Sequence, residues 1–335
     1  MTRVGVFGIG SWGTAFALVL ADAGTEVVIW GRRPELCEAV NRTRRNPDYL
    51  PDIELPESVR ATADPYEAAA GADLIALAVP SQTLRGNLTT WVTALPPGAV
   101  LVSLMKGIEL GTAKRMSEVI EEVVGAPPER VTVVSGPNLA GEIAQRQPAA
   151  SVVACVDESI AQHVQKACHS PYFRPYTNTD VVGTELGGTV KNVIALAVGM
   201  AEGLGFGDNS RASVITRGLA ETARLGGALG ADPYTFSGLA GLGDLVATCS
   251  SPLSRNRTFG EKLGRGMSVA EIVASTRQVA EGVKSCESVL DLAHRVGVEM
   301  PIVEAVTSVV RGEMTPTEML FRLIARTAKP ERHGH

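Results

Sequence analysis

The stretch GTVKNVIALAVGM, which ends at Met200, is apolar along almost its whole length yet carries a lysine, Lys191, near its start. Burying an ammonium among Val, Ile, Leu and Ala costs several kcal/mol unless it is paired or its pKa falls. A lysine placed this way either snorkels to a helix surface or exchanges a proton in a desolvated pocket. A second lysine, Lys106, follows the apolar run LVSLMKGIE, at what should be the carboxyl end of a strand. If the two share one cleft, each lowers the other's pKa. Lys191 is then suited to move a proton to or from a carbonyl or alcohol oxygen, and Lys106 to stay charged on the oxyanion side.

A third stretch, GLAGLGDLVATCSSPLSRNRTFG, frames Asp244 with glycines and then offers Ser254, Arg255, Asn256 and Arg257 at a helix start. Hydroxyl, amide and guanidinium donors at a helix N-terminus suit a phosphate monoester. The alternative is an N-capping Ser254 followed by solvated arginines.

The first apolar run leads into VFGIGSWGTA, which sets Gly8, Gly10 and Gly13 at G-x-G-x-x-G spacing before an apolar helix. Gly8 suits a tight turn, Gly10 the approach of a pyrophosphate to the backbone, and Gly13 close helix–strand packing. The second run ends in WGRRPE, with Arg32 and Arg33 where an acid would hold the ribose 2′-hydroxyl of NAD(H). Two guanidiniums favour the 2′-phosphate of NADP(H), although arginines that stack on adenine also accept NAD(H). Trp12, in the turn itself, is placed to wall the cofactor.

These groups need a scaffold, and the apolar pattern supplies one. Short β-branched runs at 4–7, 26–30, 73–79, 99–103, 131–135 and 151–155 alternate with helical patterns at 12–23, 34–41, 81–93, 112–124, 139–146 and 159–167. The polar, proline-containing stretch 43–56 is expected to be a loop with freedom to move. Beyond residue 180 only helical periodicity remains, at 182–203, 210–229, 233–238, 256–264, 268–274, 282–296, 301–311 and 316–324, with a frayed tail at 329–335. The fold class expected is α/β: an N-terminal Rossmann-like doubly wound sheet (1–180, dinucleotide-binding) followed by an all-helical C-terminal domain (181–335, substrate-binding and catalytic).

At 335 residues two cores are expected. The net charge of −5 argues against a nucleic-acid partner, so any phosphate ligand needs a local basic pocket. Cys37, Cys155, Cys168, Cys249 and Cys286 are odd in number and lack a C-x-x-C pair, which points to reduced thiols, no zinc site and a cytoplasmic protein. Nothing at the start resembles a signal peptide, and the most membrane-like segment, 181–203, is interrupted by Glu185, Lys191 and Glu202, so no stable membrane insertion is expected. The glycine-rich apolar helices of the second half are compatible with a homodimer.

Five motifs, GIGSWGTA, KGIE, SGPNLAGEIA, GTVKNVIALAVGMAEGLGFGDN and GLGDLVATCSSPLSRNRTFG, occur in the order and spacing of the bacterial-type NAD(P)-dependent sn-glycerol-3-phosphate dehydrogenases, which the chain resembles along its length. That resemblance implies interconversion of the small molecules dihydroxyacetone phosphate and sn-glycerol 3-phosphate for glycerophospholipid synthesis, with Lys191 as proton donor and acceptor. It implies substrate contacts from Lys106, Gly136, Asn138, Asp244, Ser254, Arg255 and Asn256, the family more often carrying Ser at position 138. It implies dinucleotide contacts from Ser11, Trp12, Arg32, Arg33, Tyr49, Lys106, Ala140, Arg255, Val279 and Glu281. Two rivals are a β-hydroxyacid dehydrogenase of the 6-phosphogluconate type and a catalytically silent NADPH-binding sensor.

Overall fold

The computed structural model describes residues 2–275 and 280–327. In chain order the first half runs β1 (Arg3–Phe7), α1 (Ser11–Asp22), β2 (Glu26–Trp30), α2 (Pro34–Thr43), β3 (Val59–Thr62), α3 (Pro65–Ala69), β4 (Leu74–Leu77), α4 (Leu84–Trp91), β5 (Val100–Ser103), α5 (Met116–Val124), β6 (Val131–Ser135), α6 (Ala140–Ala144), β7 (Ala149–Ala154), α7 (Glu158–Cys168) and β8 (Phe173–Asn178). The strands form one sheet in the order β3-β2-β1-β4-β5-β6-β7-β8, parallel throughout except that β6 and β7 are antiparallel. Helices cover both faces, so the inner strands are apolar on both sides; β4 and β5 are buried at every residue. One face packs on Phe16, Leu18, Ile29 and Phe173, and the other on Phe7, Trp91, Leu101 and Met116.

Six strands lie where the apolar runs predict them, with β4 shorter than the run that announces it. Two were not anticipated, β3 and β8, and these are the two edges of the sheet. An edge strand needs only one apolar face and tolerates proline, so Arg60 in β3 and Arg174 and Pro175 in β8 dilute the signal. Stretch 43–56 is a loop, as expected, but it is tied down rather than free: Arg44 donates to the Val59 and Leu55 carbonyls at 2.9 and 3.1 Å.

The second half is helical: α8 (Val181–Gly203), α9 (Asp208–Ala228), a short 3₁₀ turn (Pro233–Ser237), a π-helical turn (Leu239–Gly243), α10 (Asp244–Ser250), α11 (Arg255–Gly264), α12 (Val269–Ala274), α13 (Glu281–Arg295), α14 (Pro301–Val310) and α15 (Pro316–Ile324). Helix α8 is the axis of this half. It is long and apolar enough to cross a membrane, yet 94% of its apolar window is buried inside the protein, which marks it as a core helix. Glycines make the tightest contact: a Cβ on Gly199 would lie 2.0 Å from the Arg257 carbonyl oxygen, and one on Gly260 would lie 2.1 Å from that of Leu196. Gly199 and Gly203 therefore meet Gly260 and Gly264 backbone to backbone where α8 crosses α11.

The two halves are locked together through α8. Glu185 accepts from Arg115 Nη1 at 2.7 Å, from the Ser117 amide at 2.9 Å and from Ser117 Oγ at 2.6 Å, all at the start of α5. Asp180 caps the first turn of α8 through the Gly183 amide and also binds the Asp232 amide and the Thr235 hydroxyl. Tail residues 329–335, expected to fray, lie outside the described residues.

Candidate active site

Lys106 leaves the carboxyl end of β5 and reaches across to the helical half. Its Nζ donates to the Gly136 carbonyl at 2.9 Å and to Asp244 Oδ2 at 2.6 Å. Lys191, from the buried middle of α8, donates to the other carboxylate oxygen, Asp244 Oδ1, and to Thr248 Oγ1 at 2.7 Å. The two lysines thus meet on one carboxylate, which is 1% exposed. Small residues make the meeting possible. A Cβ on Gly188 would lie 2.6 Å from Ser135 Oγ and 3.4 Å from Lys106 Cγ, and one on Gly187 would lie 2.4 Å from the Ala240 carbonyl, which belongs to the turn that delivers Asp244 to the start of α10.

Two ammoniums against one carboxylate leave a surplus positive charge in a pocket nearly closed to water. Burial pulls the Lys191 ammonium down to about 8, Lys106 adds to the fall, and Asp244 opposes both. A group of that acidity is balanced to give or take a proton near neutrality. Thr248, one helical turn beyond Asp244, was not foreseen. Its spacing from Asp244 places both on one face of α10, which is the signal the sequence did contain.

The anion cluster is partly reassigned. Ser254 is the N-cap of α11, accepting from the Arg257 amide at 3.2 Å. Asn256 is buried and braces three helices: it donates to Asn192 Oδ1 at 2.9 Å and accepts from the Gly282 amide at 2.9 Å. Because Asn192 adjoins Lys191, this bridge fixes α11 beside that lysine. Arg257 does not belong to the cluster. It turns to Glu202 of α8 at 2.6 Å and Glu261 at 3.5 Å, an ion pair beside the crossing of α8 and α11. Arg255, two residues earlier on α11 and so about 200° round the helix, acts on Glu281 with its charge. Burial pushes the Glu281 carboxyl up against the pull of Arg255, Lys106 and Lys191, so these four groups share one electrostatic neighbourhood. Val279 lies outside the described residues.

On the sheet side, Gly136 has φ +137°, a conformation that favours glycine, and directs its carbonyl at Lys106. Asn138 donates to Ser151 Oγ at 3.0 Å while its own Oδ1 is buried without a partner. Ala140 opens α6 and packs onto the core beneath.

The glycine turn has the shape expected of it. Gly8 has φ +133°, and a Cβ there would strike the Ala78 carbonyl oxygen at 2.4 Å. A Cβ on Gly13 would sit 1.9 Å from the Gly8 carbonyl oxygen, whereas one on Gly10 would meet nothing within 4 Å. Open space at Gly10 lies beside the start of α1, where Ser11 begins the helix with no side-chain cap and no acid in the first turn. Trp12 packs on Phe16, and its Nε1 is buried without a partner. A bare helix N-terminus, room at the middle glycine and an orphaned indole N–H fit a dinucleotide pyrophosphate. Arg32 is exposed and Arg33 is ion-paired with Asp48, with half-buried Tyr49 next along the loop. Asn46 was missed. It is fully buried and donates to the Ile9 carbonyl at 2.9 Å and Thr14 Oγ1 at 2.8 Å, clamping the glycine turn from the 43–56 loop. Before a proline it signals only a turn, and nothing local reveals its distant partners.

Residues 3–161 match the family model described as NAD-dependent glycerol-3-phosphate dehydrogenase N-terminus, and residues 180–321 match that described as its C-terminus. A Streptomyces avermitilis protein named glycerol-3-phosphate dehydrogenase [NAD(P)+] is 67% identical over 330 residues, covering 98% of each chain. A Thermobifida fusca protein of the same name is 65% identical over 335 residues, covering all of both. Among solved structures, glycerol-3-phosphate dehydrogenase from Coxiella burnetii is 35% identical, with a TM-score of 0.92 over 97% of this chain and 99% of that one. A ketopantoate reductase from Ralstonia eutropha, 17% identical with a TM-score of 0.60, shares the fold alone.

Proposed function

This chain belongs to the NAD-dependent glycerol-3-phosphate dehydrogenase family, and from that premise we propose how its own side chains interconvert dihydroxyacetone phosphate and sn-glycerol 3-phosphate. The observation that supports the reading is the Lys106–Asp244–Lys191 bridge, in which a desolvated, acid-shifted lysine and a second cation share one carboxylate at the carboxyl edge of the sheet where the glycine turn also leaves β1. When bound, NADPH or NADH supplies the hydride. In the reducing direction Lys191 Nζ gives its proton to the ketone oxygen, and in the oxidising direction it takes the hydroxyl proton back. Asp244 holds Lys191 in place and prevents two adjacent ammoniums from expelling each other's protons. Lys106, anchored on the Gly136 carbonyl, keeps positive charge beside the developing oxyanion.

Arg255 and the hydroxyl of Ser254 receive the substrate phosphate. The Asn256–Asn192 bridge sets the distance between that phosphate and Lys191. A phosphate gripped away from the reacting carbon supplies binding energy that orients the carbonyl. Asn138, with its unpartnered Oδ1 near Gly136, accepts from a substrate hydroxyl. A bound dinucleotide would be held by Gly8, Gly10, Ser11 and Trp12, with Arg32, Arg33 and Tyr49 for its adenosine end and Ala140 and Glu281 for its nicotinamide side. The boundary between cofactor and substrate domains falls between 180 and 181, supported by the end of β8 at Asn178 and the start of α8 at Val181. The product feeds glycerophospholipid synthesis. Five free cysteines support a cytoplasmic location, and exposed Leu242, Val246 and Leu253 support a homodimer.

The test is dinucleotide oxidation with dihydroxyacetone phosphate beside unphosphorylated dihydroxyacetone, for the wild type and Lys191→Met. Turnover of the phosphorylated ketone is expected to exceed that of the other by a factor of about 10² or more, the size of a lost charge-assisted phosphate grip. Lys191→Met is expected to lose turnover by a factor of about 10² to 10⁴ while binding NADPH as the wild type does. Equal use of both ketones, or substantial turnover without the lysine, refutes the assignment.

A further inference from the structure

Strand β2 ends at Trp30, and in a doubly wound sheet the residues just beyond that strand meet the adenosine ribose. Here they are Arg32 and Arg33, so the acid that takes a ribose 2′-hydroxyl is missing from its usual place. A carboxylate nevertheless reaches that point. Asp48, from the 43–56 loop, forms an ion pair and hydrogen bond with Arg33 Nη2. Both side chains are open to a ligand, 40% and 44% exposed. Asp48 is held there by its neighbour: Asn46, two residues earlier, is bonded to Ile9 and Thr14 of the glycine turn. The loop's far end is closed by the Leu55 amide on the Arg44 carbonyl at 2.7 Å. Arg32, by contrast, has no carboxylate partner among the described residues.

Resting on the dehydrogenase reading above, we propose that Asp48 sets the balance between NADPH and NADH, taking the ribose 2′-hydroxyl of NADH and competing with the 2′-phosphate of NADPH for Arg33. One ion pair then serves both cofactors. With NADH, the carboxylate accepts the hydroxyl hydrogen bond while still paired to the guanidinium. With NADPH, the phosphate repels the carboxylate and takes over the Arg33 fork, and Arg32 adds a second cation.

The experiment measures Kd for NADPH and for NADH by quenching of tryptophan fluorescence, on the full chain, for the wild type, Asp48→Asn and Glu35→Gln. Asp48→Asn is expected to tighten NADPH about fivefold and to weaken NADH about threefold, magnitudes suited to an exposed ion pair and one hydrogen bond. Opposite signs are the signature, because a loop that has merely lost its anchor weakens both. Glu35, which acts on Arg33 only through space, is the charge control, and its neutral variant is expected to leave the ratio of the two Kd values within about twofold. The proposal is overturned if Asp48→Asn moves both affinities the same way or leaves their ratio unchanged, or if Glu35→Gln shifts that ratio equally. A wild type that binds neither dinucleotide overturns the dehydrogenase reading itself, a result distinct from failure of the Asp48 assignment.

Discussion

Asp244→Asn keeps the shape of the bridge between the two lysines and removes its charge. In the wild type Lys191 titrates at about 8, with burial and Lys106 pulling it down and Asp244 holding it up. A unit charge about 4 Å away at an effective dielectric near 20 is worth about 4 kcal/mol, or about 3 pKa units; the amide dipole of Asn recovers part of this, leaving a fall of roughly 2 to 3 units. Lys191 then titrates at roughly 5 to 6. At pH 7 the protonated fraction drops from about nine-tenths to between about one-hundredth and one-tenth, so ketone reduction slows roughly 10- to 100-fold. The assay is kcat/KM for dihydroxyacetone phosphate reduction across pH, which reports the free enzyme. The wild-type rate is expected to fall as pH rises through about 8, where Lys191 loses its proton, and the variant's rate to fall at lower pH. Substrate phosphate titrates near pH 6, so the wild type run in parallel supplies the baseline. A variant whose break stays near 8, or whose loss is the same at every pH, refutes the idea that Asp244 acts through the proton affinity of Lys191.

Two further outcomes concern the scaffold. Glu221 of α9 is 3% exposed and accepts from the Ile302 and Val303 amides at the start of α14, yet burial raises its carboxyl from 4.5 to about 7. Its folded pKa is the higher one, so its contribution is complete below about pH 4.5 and is lost as pH rises through about 7, a change of about 3 kcal/mol; urea unfolding should show that slope, and Glu221→Gln should flatten it. Gly199→Ala would put a Cβ 2.0 Å from the Arg257 carbonyl oxygen, so a loss of about 3 kcal/mol is expected in the same measurement, and unchanged stability would mean that α8 and α11 part freely.

What the sequence discloses is what short-range sterics and charge can encode. Gly8 and Gly13 are required where a Cβ would strike backbone, and the motif's spacing says so. Lys191 announces itself by standing in an apolar helix. The convergence of Lys106 and Asp244 is harder to see, because 138 residues separate them and no local pattern records which sheet end meets which helix start. Asn46 is hidden for the same reason. Arg257 is a different failure: helical residues two apart differ by about 200° in direction, so Arg255 and Arg257 cannot both face one phosphate, and the periodicity alone separates them. Strands β3 and β8 escape because edges demand so little apolar surface.

The same burial that makes Lys191 expensive makes it useful. Taken from water beside a second ammonium, it falls from 10.5 to about 8, the balance of desolvation and Lys106 against Asp244. The fold tolerates the charge only because Asp244 arrives from the start of α10, and Asp244 arrives only because Gly187 lets the preceding turn touch α8. Lys106 comes from the other half of the molecule and needs Gly188 on the same helix to pass. Helix α8 therefore sets both distances at once, while Glu185, less than two turns before Lys191, pins it to Arg115 and Ser117 of the sheet half. Lys191 is acidic first because α8 buries it and then because the docking of the two halves brings Lys106 onto the same carboxylate, so interdomain registry adds to a shift that the helical half begins.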